Sequence, residues 1–95
     1  MRKIIWSSLA ISDLRRIDNL LTAELSPQVA DDYLSAIRQR CEVLQDFPQR
    51  GARVDDEARK LLVPATPYII LYDVTDFQIE VLRVFHNREN WRDNS

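Results

Sequence analysis

Ninety-five residues, with thirteen basic side chains against fifteen acidic ones and a formal charge of −2, suit one globular domain that buries roughly 60–65% of its unfolded surface. Forty-five per cent hydrophobic residues and a single glycine exclude a disordered or low-complexity chain, and basic residues scattered among acids argue against a protein that grips a phosphate backbone unaided. Cys41 has no partner for an internal disulfide, and one Cys with one His (His86) cannot build a typical structural zinc site, so neither metal nor cofactor is expected.

Residues 3 to 6, Lys-Ile-Ile-Trp, have the β-branched and aromatic content of a short strand closed by Trp6, and Ser7 and Ser8 behind them can cap a helix. Ala10, Leu14, Ile17 and Leu21 then recur at helical spacing. Ile11 and Leu20 widen this stripe and Asp13, Arg16 and Asp18 fall outside it, which predicts an amphipathic helix ending near Leu25. Ser26 followed by Pro27 marks a second helix start, because proline's missing N–H has no partner to lose there. Val29, Ala30, Tyr33, Ile37, Cys41 and Leu44 share one face of that helix, and Phe47-Pro48 ends it, since proline disfavours helical backbone before it. The short connection makes the two helices a hairpin.

Residues 48 to 58 have no periodicity and contain Gly51, expected where the backbone needs a positive φ. Three apolar runs come next, 59–63, 67–74 and 78–86, separated by Pro-Ala-Thr and Thr-Asp-Phe, and they read as an antiparallel meander. In the middle run Tyr68, Ile70, Tyr72 and Val74 alternate with Ile69 and Leu71, so both faces are apolar and this strand is expected at the centre. The fold class is α+β: a single domain over residues 1–95 in the order β-α-α-β-β-β, a helical hairpin packed on a small, mainly antiparallel sheet, with a polar tail from about residue 87. Apolar residues on the sheet face away from the helices need the tail or a partner to cover them. No secretory leader and no apolar run long enough to span a bilayer are present, so a cytoplasmic location without membrane contact is expected.

Four blocks carry a family resemblance: Ala10-x-x-Asp13-Leu14-x-x-Ile17; Phe47-Pro-x-x-Gly51; Arg59-Lys-Leu-x-Val with Thr66-Pro-Tyr-Ile-Ile-Leu-Tyr72; and Val81-Leu-Arg-Val-Phe-His86-x-Arg-Glu-Asn-Trp. Together they span essentially the whole chain, which resembles the RelE/ParE toxin superfamily of type II toxin–antitoxin systems, most of all its ParE or plasmid-stabilisation branch. The resemblance implies a small cytoplasmic toxin neutralised by a cognate antitoxin whose C-terminal segment wraps it. It also implies two alternative activities. ParE-like members are associated with inhibition of DNA gyrase, whereas RelE-like members are ribosome-dependent endoribonucleases that cut messenger RNA.

A nuclease needs a proton acceptor, a proton donor and cations converging on one phosphate. The residues that would serve are Arg59, Arg83 and His86. Against them stand the acidic net charge, Asn87 where several nucleases carry a tyrosine, and the three-residue spacing of Arg83 and His86, which sends them to opposite faces of a regular strand unless a bulge or early strand end intervenes. His86 therefore reads first as a strand-end histidine packed beneath the tail with a local hydrogen bond, and Arg83 as the partner of an acid such as Asp73. The alternative for both is a contact with another protein. In the tail, Trp91 between Arg88 and Arg92 has the composition of an interface anchor, or else folds back over the open sheet face. The chain thus reads as a binder whose candidate contact residues are Arg83, His86, Arg88, Trp91 and Arg92. Its antitoxin, and DNA gyrase as its target, are implied by the resemblance; no sequence-specific nucleic-acid binding of its own is expected, and the endoribonuclease is the alternative.

Overall fold

The computed structural model describes residues 2–88. Strand β1, Lys3–Trp6, runs straight into helix α1, Ser8–Glu24. Ser7, in extended conformation, is the junction: its Oγ accepts from the Ala10 N–H at 3.0 Å and donates to Leu82 O at 2.8 Å, so one hydroxyl caps the helix and fastens it to the far end of the chain. Helix α2, Pro27–Asp46, starts in the same way, with Ser26 Oγ accepting from Val29 N at 3.1 Å and Pro27 in the first turn. It ends at Phe47, whose N–H still bonds to Val43 O before Pro48 turns the chain away.

Beyond the hairpin come β2 (Ala52–Arg53), β3 (Arg59–Leu62), β4 (Tyr68–Val74) and β5 (Gln78–His86). The sheet order is β1-β5-β4-β3-β2; β1 runs parallel to β5 and every other pair is antiparallel. β4 lies in the middle, as its two apolar faces require. The α+β class and the hairpin on a mainly antiparallel sheet are as the sequence led one to expect, with one strand added. That strand, β2, is only two residues long and pairs Ala52 with Lys60 and Arg53 with Arg59, too short to leave a periodic signal.

The main core lies between the helices and the sheet. Ala10, Ile17 and Leu21 of α1 and Ala30, Ile37, Cys41 and Leu44 of α2 meet Leu61, Tyr68, Ile70, Tyr72, Ile79, Val81 and Val84, and Trp6 and Tyr33 pack at its margin. Ile11 and Leu20 do not widen the buried stripe. They are 41% and 44% exposed, because at ~100° per residue both sit well off the line of Ala10, Ile17 and Leu21. Asp13, assigned to solvent by its chemistry, is instead 3% exposed.

On the other sheet face the segment between β2 and β3 supplies part of the cover; the tail expected there lies outside the described residues. Leu71 and Phe85 are buried beside Ala58, with Val54, Ile69 and Leu82 alongside. The segment that supplies Val54 and Ala58 is folded by local bonds: Val54 N to Ala58 O at 2.9 Å, and Asp55 Oδ1 accepting from both Glu57 N and Ala58 N at 2.8 Å.

Gly51 also departs from expectation. Its φ is not positive; that conformation falls on Ala65, at φ 64°, in the turn between β3 and β4. What Gly51 supplies is room, since a Cβ there would lie 2.6 Å from Lys60 O and 2.7 Å from the Tyr72 hydroxyl. The gap is used: Gly51 N donates to Tyr72 Oη and that hydroxyl donates to Pro48 O, each at 2.8 Å.

Candidate functional site

The register of β5 decides where its charged residues point. Leu71 pairs with Arg83 and Tyr72 with Val81, so Leu82 is an extra residue and the strand is bulged there. Ahead of the bulge Ile79 and Val81 face the helices; after it Val84 and His86 share the face of Ile70 and Tyr68, while Arg83 and Phe85 share that of Leu71 and Ile69. A bulge is therefore present, but it precedes Arg83 instead of separating it from His86, and the two residues stay on opposite faces.

β1 is shorter than β5. Its register ends with Trp6 opposite Val81, so the rest of β5 runs on past it, and helix α1 supplies side chains there. Ser7 takes Leu82 O, and Asp13 Oδ2 accepts from Val84 N at 2.9 Å. The same carboxylate receives Arg83 through two bonds, Nε to Oδ2 at 2.8 Å and Nη2 to Oδ1 at 3.0 Å, while Arg16 Nη2 adds a longer one at 3.3 Å. Asp13 is thus a buried three-point clasp holding the late half of β5 to α1. Burial pushes its carboxyl up, but the hydrogen bonds from Arg83 and Val84, and the charge of Arg83, outweigh it and hold the group below the usual carboxylate range.

Arg83 accordingly pairs with Asp13 and not with Asp73, whose Oδ1 accepts instead from Val74 N at 2.8 Å. The sequence contained a signal for Asp13: it lies three residues after Ala10 and four before Ile17, on the buried face. Chemical type alone had set it outside. The Arg83 side chain remains 39% exposed, so it is both anchored and presented. Leu9 and Leu20, at 57% and 44% exposure, stand at i and i+11 on the α1 flank that carries Asp13 at i+4 and Arg16 at i+7, an apolar border to this charged pair.

His86 sits at the end of β5 opposite Tyr68. Its Nδ1 accepts from the Arg88 backbone N–H at 3.1 Å, and its ring meets Tyr68 edge-on at 5.7 Å; Tyr68 in turn meets Tyr33 at 6.1 Å, an aromatic stair from β5 through β4 to α2. Arg88 is exposed. Trp91 and Arg92 lie outside the described residues.

Arg59 belongs elsewhere. Its Nη1 donates to Gly51 O at 2.8 Å and Gln49 O at 3.3 Å, so the guanidinium ties down the loop that Tyr72 also holds. It lines a polar groove of about 290 Å³ with Arg2, Arg53, Asp55 and Asp73, to which neither Arg83 nor His86 contributes. Arg59 pairs with Tyr72 and His86 with Tyr68, four residues apart along β4, or roughly 13 Å at ~3.3 Å per residue. The three residues a nuclease would need are thus brought to three places. Cys41 offers no nucleophile either, since burial, with a lesser push from Glu42, drives its thiol up to about 12. Among the described residues no group of three or more His, Cys, Asp or Glu side chains is placed to hold a metal, and no helix is long and apolar enough to cross a membrane.

Against this geometry, residues 4–91 match the family described as the ParE toxin of type II toxin–antitoxin system, parDE. A protein of Caulobacter vibrioides named Toxin RelE2 is 28% identical over 86 residues, covering 90% of this chain and 96% of its own length. Among solved structures, the fold is similar to a chain of the chromosomal ParDE toxin–antitoxin system of P. aeruginosa, with TM-score 0.80, 22% identity, and 90% of this chain and 96% of that one covered. It is also similar to a chain of the E. coli DinJ–YafQ complex, with TM-score 0.60, 14% identity, and coverage of 92% and 94%.

Proposed function

As the chain belongs to the ParE toxin family of type II toxin–antitoxin systems, we propose that it inhibits growth by binding a host protein, DNA gyrase first among the candidates, and that a cognate antitoxin neutralises it in the cytoplasm. One observation carries the choice of binding over RNA cleavage. Arg59, Arg83 and His86 are each engaged in a different structural bond, to the Gly51 loop, to Asp13 and to the Arg88 N–H, and two of them lie on opposite sheet faces. General acid–base catalysis on a phosphate requires such groups to converge. The net charge of −2 points the same way.

The proposed contact surface comprises the late half of β5 and the residues after it: Arg83, His86, Arg88, Trp91 and Arg92, with Leu9 and Leu20 of α1 at its border. Arginine and tryptophan are the side chains that most often anchor protein interfaces, and a guanidinium already oriented by a buried carboxylate loses less freedom on contact. Expression in cells with and without the adjacent gene, with transcript ends mapped after induction, tests this. Growth arrest relieved by the neighbour and unaccompanied by ribosome-dependent transcript cleavage is the expected outcome. Cleavage that disappears in His86→Ala would establish the RelE-like endoribonuclease instead.

A further inference from the structure

We infer that the groove along the outer edge of β3 docks an acidic, extended segment of the cognate antitoxin; this rests on the toxin–antitoxin reading above. β2 pairs with β3 only at Arg59 and Lys60, so Leu61 and Leu62 continue past it. Val63 N bonds to Tyr68 O at 3.0 Å, which turns the backbone groups of Arg59, Leu61 and Val63 toward β4 and those of Lys60 and Leu62 outward. Lys60 is met by β2. Leu62 has its carbonyl met by Arg40 Nε, at 3.2 Å, and its side chain is 55% exposed.

Around Leu62 lies a groove of about 430 Å³ floored by Leu62, Ile69 and Ala52 and rimmed by Arg40, Arg50 and Lys60. Among the described residues no carboxylate lines it, although the chain as a whole carries more acids than bases. Three cations over an apolar floor at a strand edge fit a polypeptide that alternates carboxylates with apolar side chains. In an extended segment successive side chains point to opposite sides, so an apolar one settles on Leu62 and Ile69 while its acidic neighbours reach the rim. A phosphate backbone would use the cations and leave the leucine and the strand edge unused, which is why the occupant is read as protein.

The test titrates the full-length toxin with the protein encoded by the adjacent reading frame, at low and high salt. Arg50→Glu combined with Lys60→Glu should weaken binding about tenfold at low ionic strength, with the gap closing as salt rises. Leu62→Ala should weaken it to an extent that salt leaves unchanged. Positions 50, 60 and 62 are exposed, so melting temperatures should stay near wild type and show that the fold is intact. Undiminished affinity in both variants overturns the groove and leaves the pairing of toxin with antitoxin standing. Failure of the wild type to bind overturns both, and loss of binding to an RNA oligonucleotide but not to the antitoxin in the double variant overturns the assignment of occupant.

Discussion

Replacing Asp13 by alanine tests the clasp that positions the late half of β5. The geometry gives three effects. The Val84 N–H loses its acceptor while buried, at about 1–3 kcal/mol. The two-pronged bond from Arg83 disappears; a fully buried pair broken in this way costs about 3–5 kcal/mol, but Arg83 is 39% exposed and recovers water, so about 1 kcal/mol is the better figure. The longer bond from Arg16, itself half-exposed, adds little. The sum is about 2–4 kcal/mol, most of it from the orphaned amide. Asp13→Asn keeps an acceptor for Val84 and should lose only about half as much. Urea unfolding at neutral pH measures both, and a double cycle with Arg83→Gln isolates the pair. The pH dependence has a fixed sign. With its folded-state pKa depressed, Asp13 contributes stability that is present above its unfolded value, about 3.9, and is lost as pH falls through the lower folded one, so Asp13→Asn should flatten the acid limb of the stability curve. A loss below about 0.5 kcal/mol for Asp13→Ala, within the range of ordinary surface substitutions, would refute the clasp.

Gly51→Ala should destabilise by about 2 kcal/mol or more and detach β2, because the new methyl meets the Lys60 carbonyl, which is backbone and cannot swing aside; thermal melting and the loss of amide protection at Ala52 and Arg53 check it. Ala65→Gly should stabilise by about 0.5 kcal/mol in the same melts, relief of the left-handed backbone outweighing the extra unfolded-state entropy. Alkylation of Cys41 by iodoacetamide at pH 8 should follow the rate of unfolding and not that of a free thiol, since the group is buried and its pKa pushed up to about 12; rapid labelling of folded protein would contradict this.

The sequence disclosed the fold where a pattern repeats over several turns or alternations. Ala10, Ile17 and Leu21, then Ala30, Ile37, Cys41 and Leu44, are buried as their spacing requires, and β4 is central because both its faces are apolar. Features held by single contacts were not legible. β2 is two residues long, the bulge at Leu82 is a matter of register, and the space that makes Gly51 necessary is set by Tyr72, twenty-one residues away. Asp13 shows the limit most clearly. Its position on the buried face was readable, but its burial depends on an arginine and a backbone amide seventy and seventy-one residues distant, and no local pattern records them. The candidate contact residues were legible as types. That Arg83 and His86 take opposite faces was readable from their spacing, but which face each one takes depends on the bulge at Leu82.

We propose that this toxin acts by holding a protein and not by cleaving RNA. Purified chain added to DNA gyrase in a supercoiling assay measures it most directly, with the adjacent gene's product as the reversing agent. Inhibition that rises with toxin, is relieved by that product, and weakens when Arg83 and Arg88 are replaced is the expected result. Undisturbed supercoiling at saturating toxin, alongside cleavage of ribosome-bound messenger that needs His86, would contradict it.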